Sequence, residues 1–174
     1  MEYDLENPSL YSETQRFNQL WMIAIIFIPL VIFSLIFIKQ FLFGFAGGSS
    51  KTIPLNVLLI MIAVGIGEPL LIFSCKLVTE VRTDGVYVKF FPFMLSFRKI
   101  PKEEIESYQA RIYKPVQEYG GWGIKGFKSN RAYNVSGNEG MQLVLKNKDR
   151  ILIGTKNPDE FQLAMAQIMH KKEM

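Results

Sequence analysis

The chain has 174 residues, 49% of them hydrophobic and 21% charged, with a single cysteine and a single histidine. These figures exclude collagen, a disulfide scaffold, a wholly disordered chain and any cysteine-cluster metal site. Charge is unevenly shared: residues 1–75 hold three basic and five acidic groups, net −2, while residues 76–174 hold 17 basic and 11 acidic groups, net +6.

Residues 1–18 read as an acidic N-terminal tail. Leu20 to Ile38 then runs for 19 residues without a formal charge, dominated by Ile, Phe and Leu. At about 1.5 Å per residue such a helix covers roughly 28 Å, close to the hydrocarbon thickness of a bilayer. A second apolar stretch, Ile53 to Cys75, is interrupted only by Asn56 and Glu68. The expectation is a helical hairpin crossing the membrane twice, with spans at 19–43 and 53–75 and a short external loop at 44–52. Apolarity all round both helices separates them from the one-striped helices of a soluble core. The acidic flank and the length of the first run argue against a cleaved signal peptide. Arg16, Lys76, Arg82 and Lys89 on the termini side, against Lys39 and Lys51 on the loop side, predict cytoplasmic termini in a two-span protein of the cell membrane. Trp21 takes the place of an interfacial aromatic.

Glu68 is the one acidic residue inside a span. Pro69 follows it and Gly65 and Gly67 precede it, so a kink is expected there. Intramembrane carboxylates often mark ion or proton paths. With no second charged residue in Leu20–Ile38 or Ile53–Cys75, the preferred reading is a protonated carboxyl, or one bonded to Asn18, Gln19 or Trp21.

From Lys76 the period switches to two. Leu77, Thr79, Val81 and Thr83 alternate with Val78, Glu80 and Arg82, and Asp84-Gly85 supplies a tight hairpin turn into Val86–Phe91. Further strands are expected at Leu95–Ile100, Ile105–Ile112, Ala132–Val135, Met141–Lys146 and Arg150–Thr155, about seven short antiparallel strands in all. A last helix starts at Asn157-Pro158, with Glu160 at capping-box spacing. Phe161, Ala164, Met165, Ile168 and Met169 give it one apolar face, and His170, Lys171 and Lys172 suit its C-terminal dipole.

Two spans precede a strand-rich domain carrying Tyr119-Gly120-Gly121-Trp122-Gly123-Ile124-Lys125, Arg131-Ala132-Tyr133-Asn134-Val135-Ser136-Gly137 and Arg150-Ile151-Leu152-Ile153-Gly154-Thr155. This chain resembles small two-span membrane proteins of bacteria and archaea with a bacterial pleckstrin-homology (PH)-like domain. The resemblance implies a membrane α-helical hairpin followed by an α+β or all-β PH-like domain at 76–174, a bent sheet plugged by the C-terminal helix. It implies no activity.

Candidate chemistry is sparse. Gly121-Trp122-Gly123-Ile124-Lys125-Gly126 matches a dinucleotide-binding pattern by letter, but no βαβ unit surrounds it. Lys114 to Arg131 is long for a loop and rich in glycine, aromatics and cations, which makes Tyr119, Trp122, Ile124, Lys125, Phe127, Lys128 and Arg131 the candidate binding residues. The competing reading, slightly preferred, folds Trp122 and Phe127 back over an open end of the sheet. PH domains that bind phosphoinositides cluster cations between their first two strands, whereas here that connection is only Asp84-Gly85. The net +6 still predicts attraction to anionic headgroups. No nucleic-acid motif accompanies the basic residues. His170 at a helix end and Cys75 at a membrane interface make poor catalytic partners, so neither an enzyme nor a cofactor or metal is expected. The resulting expectation is a non-catalytic, membrane-tethered interaction module binding a protein or a second copy of itself. The alternative is a small ligand- or lipid-sensing or transport-accessory protein that uses Glu68 and the hairpin.

Overall fold

The computed structural model describes residues 7–40, 42 and 53–170, the side chain of Trp21 excepted. The expected loop at 44–52, with Lys51, and the terminal Lys171 and Lys172 lie outside the described residues. Two compact units divide the chain: residues 17–74, and residues up to Arg16 together with Cys75 onward.

The first unit holds α1 (Leu20–Lys39) and α2 (Leu55–Ser74), each long and apolar enough to cross a membrane. Most of their Ile, Leu, Val and Phe side chains are exposed. The two helices pack closely at Gly65. Gly65 is buried, and a Cβ there would stand 3.4 Å from the Phe33 ring and 3.5 Å from Leu30. Phe27 and Phe73 meet with ring centroids 6.3 Å apart. The helical assignment of α2 runs unbroken through Pro69, although proline supplies no N–H to the carbonyl four residues back.

The second unit has two sheets. The first contains β1 (Ser9–Arg16), β2 (Lys76–Arg82), β3 (Gly85–Phe91) and β4 (Arg98–Pro101), in that order and antiparallel throughout. The second contains β5 (Ile105–Ile112), β6 (Gly123–Phe127), β7 (Asn130–Asn134), β8 (Glu139–Leu145) and β9 (Arg150–Gly154), in the order β5-β8-β9-β7-β6. The expectation of about seven antiparallel strands is therefore corrected: nine occur among the described residues, and β7 pairs with β9 in parallel. Both additional strands, β1 and β6, pair along one side only, at sheet edges.

Within the stretch expected as a tail, Ser9–Arg16 is a strand, because β1 pairs with β2 from Arg16↔Lys76 to Ser9↔Arg82. Its alternation puts Tyr11, Glu13 and Gln15 inside. A buried carboxylate is tolerated only when its oxygens are satisfied, and Glu13 is well supplied. Oε2 accepts from the Tyr11 hydroxyl at 2.6 Å and from the Thr155 hydroxyl at 2.7 Å, and Oε1 accepts from the Lys156 N–H at 2.9 Å. The Gln15 amide donates to the Gly154 carbonyl at 2.7 Å. Burial first, then the adjoining Glu13, pushes the Tyr11 hydroxyl above its ordinary range. These bonds tie the first sheet to the end of β9.

Helix α4 (Pro158–His170) completes the core. Phe161, Ala164, Met165 and Ile168 are buried, and the helix contacts β1 and β2 of one sheet and β5 and β8 of the other. The Phe161 ring stacks on Tyr11 at 4.9 Å. Leu77, Val81, Val88 and Phe90 of the first sheet and Met141, Leu143 and Ile151 of the second are buried as well. Each large apolar side chain so buried contributes about 1.5–3 kcal/mol before entropy is charged. Across the sheets, the Arg98 guanidinium donates to the Tyr133 hydroxyl at 2.7 Å.

Candidate functional site

The segment between β5 and β7 is more ordered than a long loop. Pro115–Tyr119 forms a short helix, α3, with proline at its start and Gly120 closing it in the left-handed region at φ 72°. Glu118 reaches back so that its Oε1 accepts from the Lys114 N–H at 2.7 Å. The chain then enters β6, the outermost strand of its sheet, and turns at Lys128-Ser129 into β7. Gly126 is required at that turn: its φ is 78°, and a Cβ would run into the Asn130 carbonyl. The glycine-rich dinucleotide-like pattern thus leads into an edge strand and a hairpin rather than a helix.

The seven candidate residues fall into separate environments. Tyr119 is buried beside Tyr113, Ala132 and Leu152, its ring edge-on to Tyr113. Trp122 is half-buried, its indole N–H donating to the Gly137 carbonyl at 3.0 Å. Phe127 departs from the folding-back expected of it: it is 84% exposed at the hairpin tip. Ile124 and Lys128 are exposed, and Lys125 is half-exposed. Arg131 is half-buried, with its Nε buried and lacking a hydrogen-bond partner among the described residues.

Two of the seven, Tyr119 and Phe127, line one cleft of about 350 Å³ together with Glu118, Gly126, Ser129 and Asn130. Sequence reasoning missed Glu118 and Asn130, isolated polar residues in no motif. Arg111, four residues N-terminal to α3, anchors the wall by donating to Glu118 at 2.8 Å and to Gln142 at 3.0 Å. That guanidinium, followed by the Lys114 N–H, holds the Glu118 carboxyl below its ordinary range. Burial pushes the Tyr119 hydroxyl up. The cleft offers an aromatic wall at Phe127, a carboxylate and an amide.

Elsewhere the candidates are poorer. Glu68 is half-buried on α2. It is not among the residues lining the apolar cleft of about 280 Å³ between α1 and α2, which include Leu30, Phe33, Met61 and Gly65. The Asp84 carboxylate is engaged by donors from three parts of its unit, accepting from Asn7 at 2.6 Å, Tyr87 at 2.8 Å and Lys99 at 2.5 Å. No three His, Cys, Asp or Glu side chains converge among the described residues.

Among known proteins, a family model described as a family of unknown function (DUF6141) matches residues 4–171. No curated protein and no solved structure matches the chain.

Proposed function

The chain belongs to this family of unknown function, and we propose that it is a non-catalytic module, tethered to a membrane by α1 and α2, that binds a protein partner through the β6–β7 hairpin. Its domain is read as a PH-like variant, with strands followed by a helix that closes the core. The observation that carries the binding reading is Phe127, 84% exposed beside a cleft that ends in polar groups. A large aromatic left in water on a backbone fixed by a positive-φ glycine is a ready anchor for another surface. Lys125 and Lys128 beside it would favour an acidic partner.

Two features support the membrane part. The helices expose apolar side chains over nearly their whole length, which suits lipid better than water. The pairing Arg16↔Lys76 sets the two ends of the apolar insert side by side on neighbouring strands. An insert that leaves and returns at one place crosses a bilayer an even number of times. Cytoplasmic placement of both ends is part of the proposal and rests on the basic residues flanking them.

The test is photo-crosslinking in native membranes from a reactive residue at Phe127, with a second at Ile124, followed by mass spectrometry. A recurrent protein adduct that is lost with Lys125→Glu/Lys128→Glu is the expected result. Adducts only to lipid, or only to the same domain, would overturn the protein-binding reading. If Glu68→Gln abolishes the cellular phenotype and Phe127→Ala leaves it intact, the transport-accessory alternative replaces it.

A further inference from the structure

The β3–β4 connection carries a second exposed apolar group. From Phe90 to Phe97 the sequence FFPFMLSF contains no charge, and Lys89 and Arg98 bracket it. Loops between strands are ordinarily polar, because they are ordinarily wet. Here Phe93 is 63% and Leu95 75% exposed. The loop is nevertheless held in shape: the Met94 N–H donates to the Phe90 carbonyl at 2.7 Å, and the Phe93 ring leans on Phe90 at 6.3 Å.

Its place in the sheet gives this meaning. Phe91 pairs with Lys76, which pairs with Arg16. Only Cys75 separates Lys76 from the end of α2. Two residues reach at most about 7 Å, so the covalent link alone keeps Lys76 within that distance of Ser74. The same end carries cations on the outer face. The Lys76 ammonium lies 5.7 Å from the Phe91 ring centroid, and the Lys89 ammonium lies 5.6 Å from that of Phe97.

We propose that this loop is a bilayer contact: Phe93 and Leu95 enter the boundary between headgroups and acyl chains, and Arg16, Lys76 and Lys89 meet anionic headgroups around them. The inference rests on the reading of α1 and α2 as membrane spans. It differs from the partner surface at Phe127, which belongs to the other sheet. The combination of apolar tip and flanking cations is that of interfacial anchors. Its effect would be to hold the domain at a fixed attitude to the membrane, leaving the β6–β7 hairpin free for a partner.

The experiment uses the full chain in vesicles of phosphatidylcholine and phosphatidylglycerol. Spin labels are placed at Phe93→Cys and Leu95→Cys in a Cys75→Ala background, with Ile62→Cys on α2 and Lys128→Cys as references. Collisions with oxygen and with a water-soluble nickel chelate report depth. Oxygen access at 93 and 95 should rise, and nickel access fall, to values between those at 62 and 128. Water-like values at 93 and 95 with lipid-like values at 62 overturn the loop contact alone. Water-like values at all positions overturn the membrane reading with it. Because Cys75 is buried and its replacement could disturb the fold, a photoreactive residue at Phe93 with Cys75 intact gives an independent reading. Lipid adducts support the contact, and adducts confined to water or to the domain overturn it.

Discussion

The β2–β3 and β6–β7 hairpins belong to the same unit and turn over similarly short connections, yet they dispose of their side chains in opposite ways. At the first, Asp84 accepts from Asn7, Tyr87 and Lys99, and Asn7 in turn accepts from the Thr83 N–H and hydroxyl at 3.1 and 2.8 Å. Gly85 is buried against Ile100 and Pro101. The Asp84 carboxylate, the Asn7 amide and the Thr83 hydroxyl of that turn are thus all bonded within the unit. At the second hairpin the backbone is equally constrained, but Phe127 and Lys128 face water. Constraint alone therefore does not identify a structural turn. What separates the two is whether the side chains at the tip find partners within the chain.

This contrast can be broken experimentally, beginning where the effect is largest. Gly85 has φ 149°, and a Cβ there would strike the Ile100 carbonyl, so Gly85→Ala should cost about 3 kcal/mol or more. Denaturant unfolding of the purified full chain in detergent should show it, and a loss below about 1 kcal/mol would mean the turn is not the knot it resembles. Gly126→Ala meets a similar clash, but on an edge strand that can fray. Its cost should be nearer about 1–2 kcal/mol, with faster amide exchange confined to β6 and β7. Asp84→Ala should cost about 1 kcal/mol, since three hydrogen bonds are lost at a partly exposed carboxylate.

Acid sharpens the same comparison. Burial pushes the Asp84 carboxyl up, but the bonds from Lys99, Asn7 and Tyr87 outweigh it and lower it from 3.8 to about 2. A depressed folded value stabilises above the ordinary one, and that stability is lost as pH falls from about 4 toward 2. Because the group is more than a third exposed, solvent screening limits the loss to less than about 1 kcal/mol. Asp84→Asn should flatten this part of the pH–stability profile, and Phe127→Ala should leave it unchanged. Smallest of all, Phe127→Ala should alter stability by no more than about 0.5 kcal/mol while removing the crosslinked partner. A larger loss of stability would place Phe127 in the fold rather than on a binding surface.

How much of this was legible in the residues depends on where the pairing partner sits. The β2–β3 hairpin follows from alternation and Asp84-Gly85, and the buried face of α4 follows from helical spacing, since each determinant is local. Strand β1 was missed for two reasons: its inward residues are Tyr11, Glu13 and Gln15, which invert the usual polarity, and its partner lies beyond both long helices. Strand β6 was missed because Gly123 and Gly126 lower strand propensity, and its pairing is supplied by β7. The parallel match of β7 with β9 leaves no local mark at all. At the candidate site, the aromatic and cationic content of 114–131 pointed to the right stretch. Which rings turn inward depended on acceptors such as Gly137, fifteen residues from Trp122, that no spacing rule connects to it.

The order of strands also fixes a schedule during synthesis. Strand β1 is made first, but Lys76, its partner for Arg16, follows sixty positions later. At about 5–20 residues per second this is a wait of roughly 3–12 seconds, during which both apolar helices emerge. Glu13 waits longer still, for Thr155, 142 positions downstream. The bonds from β1 to the end of β9 therefore form only after every other strand has been made, and β1 must be kept in reach until the helices between it and β2 have found their place.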